Sequence, residues 1–440
     1  MKLAPPKKKK REISYMDCYI VLTFVSLLFL FFYVFFTQGM RLEYFLWSDE
    51  IDTGMDFFNS IIYTKGRHPY TQYGTIYPPL ANLFFWILSH CIPPEIKSQW
   101  AESYETALLM RGTIYDPRLK QSELMLFLIV VIVISLFFVL VVGLYYNKTY
   151  YGILAGTVFL FSYGSLYALE RGNIITLSLI SLFIFLKYYQ SDNHKLREVA
   201  FWALAVSAGL KLYPALFGIL LLYEKNIKET LKTVLYGILL FLVPFSMFDG
   251  FKGMKSFVYA LVDFSNKNTP IQSLLCYSLQ GVIRSVLAQF VTLLGIDAHG
   301  VVNHSYRILV IIVLGSLCLG LFVQRKKWKQ ILIIGLLIVL IQDSVGYTLE
   351  FLLPALLFFG LEEKISRKTM GYFVLLMLIH IPWPIMGAVK GYINYITIIQ
   401  QDAMAILIMI LLADIYLSIY KKIKNKASTL YYFKKEKLNV

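Results

Sequence analysis

The chain has 440 residues, 58% of them hydrophobic and only 16% charged, with a net charge of +15. A soluble domain carries roughly 25% charged residues, so the composition excludes one and makes lipid the main solvent. The positive charge lies in short stretches, Lys7–Arg11, Arg325–Lys327 and Lys421–Lys426, rather than on one contiguous face, which excludes a nucleic-acid partner.

The apolar runs are continuous rather than alternating, which predicts membrane helices and argues against a β-barrel. The basic N-terminus precedes a first span at 15–37 that is too long for a signal-peptide core and has no small-residue cleavage site, so it is expected to be retained. A long polar segment, 38–123, follows. Inside it the apolar piece Ala81–Ile92, bracketed by Pro78-Pro79 and Pro93-Pro94, is too short to cross and reads as a re-entrant or interfacial half-helix. Further spans are expected at 124–146, 152–169, 172–188 and 230–248, then at 305–323, 330–346, 348–361, 370–386 and 397–419. Segment 198–223 carries Lys211 and Pro214 at its centre, which predicts two half-helices meeting at a break. A second long segment, 249–304, contains an amphipathic candidate, Ile271–Leu294.

The expectation is an all-α, polytopic helical bundle forming one membrane domain, with about 10–13 membrane helices including broken ones. The short segments placed on the cytoplasmic side, including a basic tail at 421–440, carry most of the Lys and Arg, which puts both termini inside and both long loops outside. Loops of that length are unusual unless functional. The four cysteines have no CxxC spacing, and His68, His90, His299 and His304 share no metal-ligand pattern.

In the first outer loop, Asp49, Asp52, Asp56, Asn59 and Tyr63 recur at intervals of three and four, so a helix would align them on one face. Carboxylates so crowded repel, which is expected to raise the pKa of at least one and suit it to general-base work. A solvated acidic face is the plainer reading. Tyr70 and the Tyr77-Pro78-Pro79 helix entry follow directly. Arg171 lies between two apolar runs, and Lys211 lies well inside one. A cation in that setting faces a cavity or a partner anion, and both suit a phosphate. Glu350, at the start of a late span, is either a polar end-cap or a site residue. No Walker loop, dinucleotide fingerprint or Ser/His/Asp set is present, so a donor would be membrane-borne rather than a nucleotide.

Taken in order, Asp56-Phe57, Tyr77-Pro78-Pro79-Leu80, Gly172-Asn173, Lys211-Leu212-Tyr213-Pro214 and Asn268–Ser273 resemble elements of the GT-C superfamily of polyprenyl-phosphate-sugar glycosyltransferases. The resemblance is to glycosyltransferase family 87, which includes bacterial mannosyltransferases. It implies a GT-C bundle in the cytoplasmic membrane and inverting transfer on the outer face, from a polyprenyl-phosphate-linked sugar to a glycan, glycolipid or polymer acceptor. Asp56 would be the general base with Asp52 in reserve. Arg171, Lys211 and Asn173 would hold the donor phosphate, and Tyr70, Tyr77, Asn268 and Glu350 are the candidate substrate-binding residues. No cofactor is implied; Asp49, Glu50, Asp52 and Asp56 could ligate a divalent cation, but the branch resembled is not known for metal dependence. A lipid-linked-glycan flippase or transporter, or a polysaccharide polymerase, is the alternative.

Overall fold

The computed structural model describes residues 12–40, 42, 45, 53–105, 116–266, 276–341, 345–389 and 393–438. Asp49, Glu50, Asp52 and Asn268 lie outside the described residues. The fold is helical, apart from a two-residue antiparallel pairing of β1 (Ala388–Val389) with β2 (Ile393–Asn394).

Helix α1 (Tyr15–Thr37) starts on a capping box. The Ser14 side chain takes the Asp17 N–H, and the Asp17 carboxylate takes the Ser14 N–H at 2.9 Å. One face, with Tyr15, Tyr19, Thr23 and Ser26, packs on protein, whereas Val21, Phe24, Leu28, Phe31 and Phe35 are exposed. A bilayer accommodates such a helix, since 23 residues span about 35 Å. The first polar segment then folds into α2 (Met55–Thr64), α3 (Pro79–Ser89) and α4 (Pro94–Glu105). The half-helix expected after Pro78-Pro79 is α3, whose first turn places Pro79 where no backbone donor is needed.

Helix α5 (Gln121–Gly143) is the second uninterrupted span. The span expected at 152–169 is instead two helices, α6 (Thr149–Leu160) and α7 (Tyr163–Arg171), bent by 68°. The Ser162 side chain takes the Ser165 N–H and starts a new helix there. Next come α8 (Ile175–Tyr188) and α9 (His194–Leu210). The chain breaks at Lys211, as the sequence predicts, before a 3-10 turn (Tyr213–Gly218) and α10 (Ile219–Tyr223). Helix α11 (Ile227–Phe245) and α12 (Gly250–Asn266) meet at 108°. Beyond them lie α13 (Leu279–Leu293), α14 (His299–Asn303), α15 (Arg307–Val323) and α16 (Lys327–Ile341). The span expected at 348–361 opens as a 3-10 stretch, Gly346–Leu352, before α17 (Leu353–Glu362), because Pro354 near the helix start cannot extend a helix backwards. Helices α18 (Arg367–His380) and α19 (Tyr395–Leu438) complete the chain.

The expected count of about 10–13 membrane helices, broken ones included, is met only in part. Among the described residues, three helices are long and apolar enough to cross a membrane, or five if each bent pair is one span. Several of the expected spans are shorter apolar helices, and α16 gives the physical reason. Its Ile331, Leu332, Ile333, Ile334, Leu336 and Val339 cover every side of the helix, and all are sealed inside protein. An all-round apolar helix reads the same whether lipid or protein surrounds it. The second long segment also differs. The amphipathic helix is α13, and α12 precedes it, with Met254, Phe257 and Leu261 facing inward.

Helices α5 and α6 pack backbone to backbone. A Cβ on Gly156 would lie 2.5 Å from the Val139 carbonyl oxygen, and one on Gly152 would lie 2.6 Å from that of Gly143. Small residues at such a crossing allow close approach. Gly156→Ala is therefore expected to destabilise the protein by about 1–3 kcal/mol. Gly237→Ala, where the space is open, should gain about 0.5–1 kcal/mol. Thermal unfolding in detergent checks this; equal melting temperatures for the two variants would contradict the packing.

Candidate functional site

The site begins at the first turn of α2. Asp56 sits there, where the helix N-terminus favours a negative side chain. The turn is braced against the end of α7: the Gly54 N–H donates to the Glu170 carbonyl at 2.9 Å, and the Thr53 hydroxyl donates to the Glu170 carboxylate. Arg118, held by Asp116 at 2.6 Å, donates to the Thr53 carbonyl at 3.3 Å.

Helix α7 ends at Gly172, whose φ of 67° is open to glycine at little cost. A Cβ there would lie 2.6 Å from Phe57 Cβ and 2.7 Å from Phe127 Cε2. This tight end brings the two neighbouring side chains onto one carboxylate. Arg171 grips Asp56 with two contacts, Nε to Oδ2 and Nη2 to Oδ1, each 3.2 Å. Asn173 donates to Asp56 Oδ2 at 2.6 Å and also meets the Tyr77 hydroxyl at 3.2 Å. Its own Oδ1 takes the Ile175 N–H at 3.0 Å, so the amide cannot swing away without uncapping α8. Asp56 and Arg171 are 19% and 15% exposed, so the pair is partly desolvated.

Tyr77 stands at the entry to α3. Its carbonyl accepts the Tyr70 hydroxyl at 3.1 Å and Asn82 Nδ2 at 3.4 Å. The protein around its phenol, and next the Asp56 carboxylate, push that group well above its ordinary pKa, so it is a neutral hydroxyl at pH 7. Lys211, extended at the end of α9, places its ammonium 4.2 Å from the Tyr77 ring centre and 5.9 Å from that of Tyr347. Tyr347 in turn stacks on Tyr167 at 5.8 Å. Lys211 is 7% exposed and, among the described residues, makes no hydrogen bond or ion pair. Two aromatic faces only partly replace water around a buried cation.

An apolar groove of about 540 Å³ runs between α9, α10 and α11, and Leu212, the residue after Lys211, is in its wall. Leu204, Ala208, Gly209, Leu212, Gly237 and Phe241 line it.

Asp56, Arg171, Asn173, Tyr77 and Lys211, named from the sequence, thus converge. Other expectations need correction. Arg171, expected on a phosphate, is engaged by Asp56, and the partners of Asp56 described here are a guanidinium and an amide. Tyr70 is wedged among Phe245, Phe248 and Phe257, where it holds Tyr77 rather than lining the site. Glu350 is 0% exposed and accepts the Thr176 hydroxyl at 3.0 Å, so it closes the packing of the 3-10 stretch against α8. Tyr347, Tyr167 and the Thr53–Glu170 brace escape sequence reasoning, because an aromatic cage and a brace across distant segments have no local pattern. Among the described residues no group of three or more His, Cys, Asp or Glu stands close enough to hold a metal ion.

No protein-family model, curated protein or solved structure matches the chain.

Asp56 and Arg171 are expected to depend on each other for stability. Asp56→Ala and Arg171→Ala should each lower the melting temperature, because each takes an opposite charge from a partly buried one. The double variant should lose less than the sum, with a coupling of about 0.5–3 kcal/mol. Strict additivity in detergent unfolding would mean that the pair does not form.

Proposed function

We propose that this chain is a membrane glycosyltransferase of GT-C type. It takes a hexose or pentose, mannose-like by preference, from a polyprenyl-phosphate donor to a glycan, glycolipid or polymer on the outer face of the cytoplasmic membrane. One observation carries the reading: Asp56 is linked through Asn173 to Tyr77, whose ring faces Lys211, a buried cation with no hydrogen bond or ion pair among the described residues, and the next residue, Leu212, lines an apolar groove. A lipid phosphate supplies the anion that Lys211 lacks, and its isoprenoid chain suits the groove.

In the reaction the acceptor hydroxyl oxygen bonds to the sugar C1, and the C1–O bond to phosphate breaks from the opposite face. The hydroxyl proton passes to Asp56, and the bond's electron pair leaves with the phosphate. Asp56 keeps capacity for that proton, because Oδ1 meets Nη2 of Arg171 and a carboxylate oxygen has two lone pairs. Arg171 and Asn173 orient the carboxylate, and Lys211 balances the charge growing on the phosphate. The chemistry needs no cofactor or redox step.

A flippase for lipid-linked glycans is a second reading, favoured by the same groove and break at Lys211. It predicts movement of the lipid without release of free polyprenyl phosphate.

Asp56→Asn is expected to reduce transfer by about 10²–10⁴-fold while the protein still purifies folded. Lys211→Ala should cost about 10–100-fold in kcat/KM for the donor, with partial recovery in Lys211→Arg. Membranes assayed with radiolabelled polyprenyl-phosphate sugars, scored for labelled product, test both; full activity in Asp56→Asn would sink the assignment of the base.

A further inference from the structure

A cleft of about 480 Å³ lies between loop 73–76 and α12, away from Lys211 and the apolar groove. Tyr73, Ile76, Ser256, Tyr259, Asp263 and Phe264 line it. We propose that this cleft binds the saccharide chain of the acceptor, an inference that rests on the sugar-transfer reading.

The lining has the chemistry of a neutral sugar. A pyranose presents an apolar C–H face and a rim of hydroxyls. Aromatic rings take the first, and a carboxylate and a hydroxyl take the second. Tyr259 is 64% exposed, with the Lys255 ammonium 5.8 Å from its ring centre. Asp263 and Ser256 stand one turn away on the same helix face. Among the described residues no Lys or Arg lines the cleft itself. The volume falls within the roughly 300–1,000 Å³ usual for small-molecule sites.

The cleft also packs against the helix that carries the reacting carboxylate. Tyr73 packs on Tyr63 with ring centres 5.3 Å apart, and Tyr63 shares a face of α2 with Asp56. Seven residues of helix separate them, about 10 Å. Between them stands Asn59, whose Oδ1 is buried and has no hydrogen-bond partner among the described residues.

The walls are held in place without a ligand. Asp249, at the corner between α11 and α12, accepts the Thr71 hydroxyl at 2.6 Å, and its other oxygen lies 2.6 Å from His68 Nδ1. Both partners belong to the loop that carries Tyr73. Tyr70, inserted among the phenylalanines of α11 and α12, fixes the same loop from the inside. The corner turns α12 by 108° from α11, so α12 lies across the bundle instead of continuing the span.

Binding of mannotriose and of chitotriose to the purified full-length protein in detergent, followed by calorimetry, tests the cleft. Saturable binding of at least one is expected, weakened about tenfold in Tyr259→Ala and in Asp263→Ala and retained in Tyr259→Phe. Both positions are exposed, and unchanged melting temperatures check that the variants are folded. No saturable binding of either trisaccharide, or equal binding by Tyr259→Ala, overturns the inference. Failure of the sugar-transfer reading looks different: Asp56→Asn would then keep full transfer whatever the cleft variants bind. If Asp56→Asn loses transfer while Tyr259→Ala keeps its acceptor KM, the reading stands and the cleft does not.

Discussion

The contact of the Asp56 carboxylate with Arg171 and Asn173 is the constraint on which the rest of the site depends. It joins the first turn of α2 to the end of α7 and the start of α8. It can form only because α7 is bent away from α6 and stops at a residue with no side chain. Phe57 and Phe127 fill the space that a Cβ at position 172 would need. Apolar packing and the ion pair therefore support each other. The phenylalanines exclude water from the pair, and the pair holds the helix that carries Phe57 in register.

Asn173 extends this lock to Tyr77, and Tyr77 extends it to Lys211. Among the described residues, Asp56 is satisfied by protein groups, whereas Lys211 makes no hydrogen bond or ion pair. Under the sugar-transfer proposal, a lipid-borne phosphate answers that asymmetry.

Much of the site is legible residue by residue. In a chain this apolar, a charged side chain within an apolar run is costly, so Arg171 and Lys211 stand out on composition alone. Asp56 stands out by helical spacing, and Tyr77 by its place before two prolines. Their partners do not stand out. Arg171 and Asp56 are 115 residues apart, and nothing local distinguishes a guanidinium awaiting a phosphate from one already gripped by a carboxylate. Glu350 shows the same ambiguity in reverse: a carboxyl at the start of a late span reads as a site residue, yet Thr176 and complete burial make it part of the packing. Helix α12 is missed because its glycines and lysines dilute the inward stripe of Met254, Phe257 and Leu261.

The amino-acid sequence by itself determined the solvent, the helical class and the breaks at Pro78-Pro79 and Lys211. These follow from local chemistry: the length of apolar runs, the missing donor of proline and the expense of a charge inside an apolar segment. Tertiary structure alone decided which apolar helices face protein rather than lipid, as with α16, because hydrocarbon and a packed core select the same side chains. It also decided that Asp56 meets Arg171 and that, among the described residues, Lys211 meets aromatic faces. A charge is satisfied by whatever lies within a few ångströms of it, and that neighbour is set by the fold.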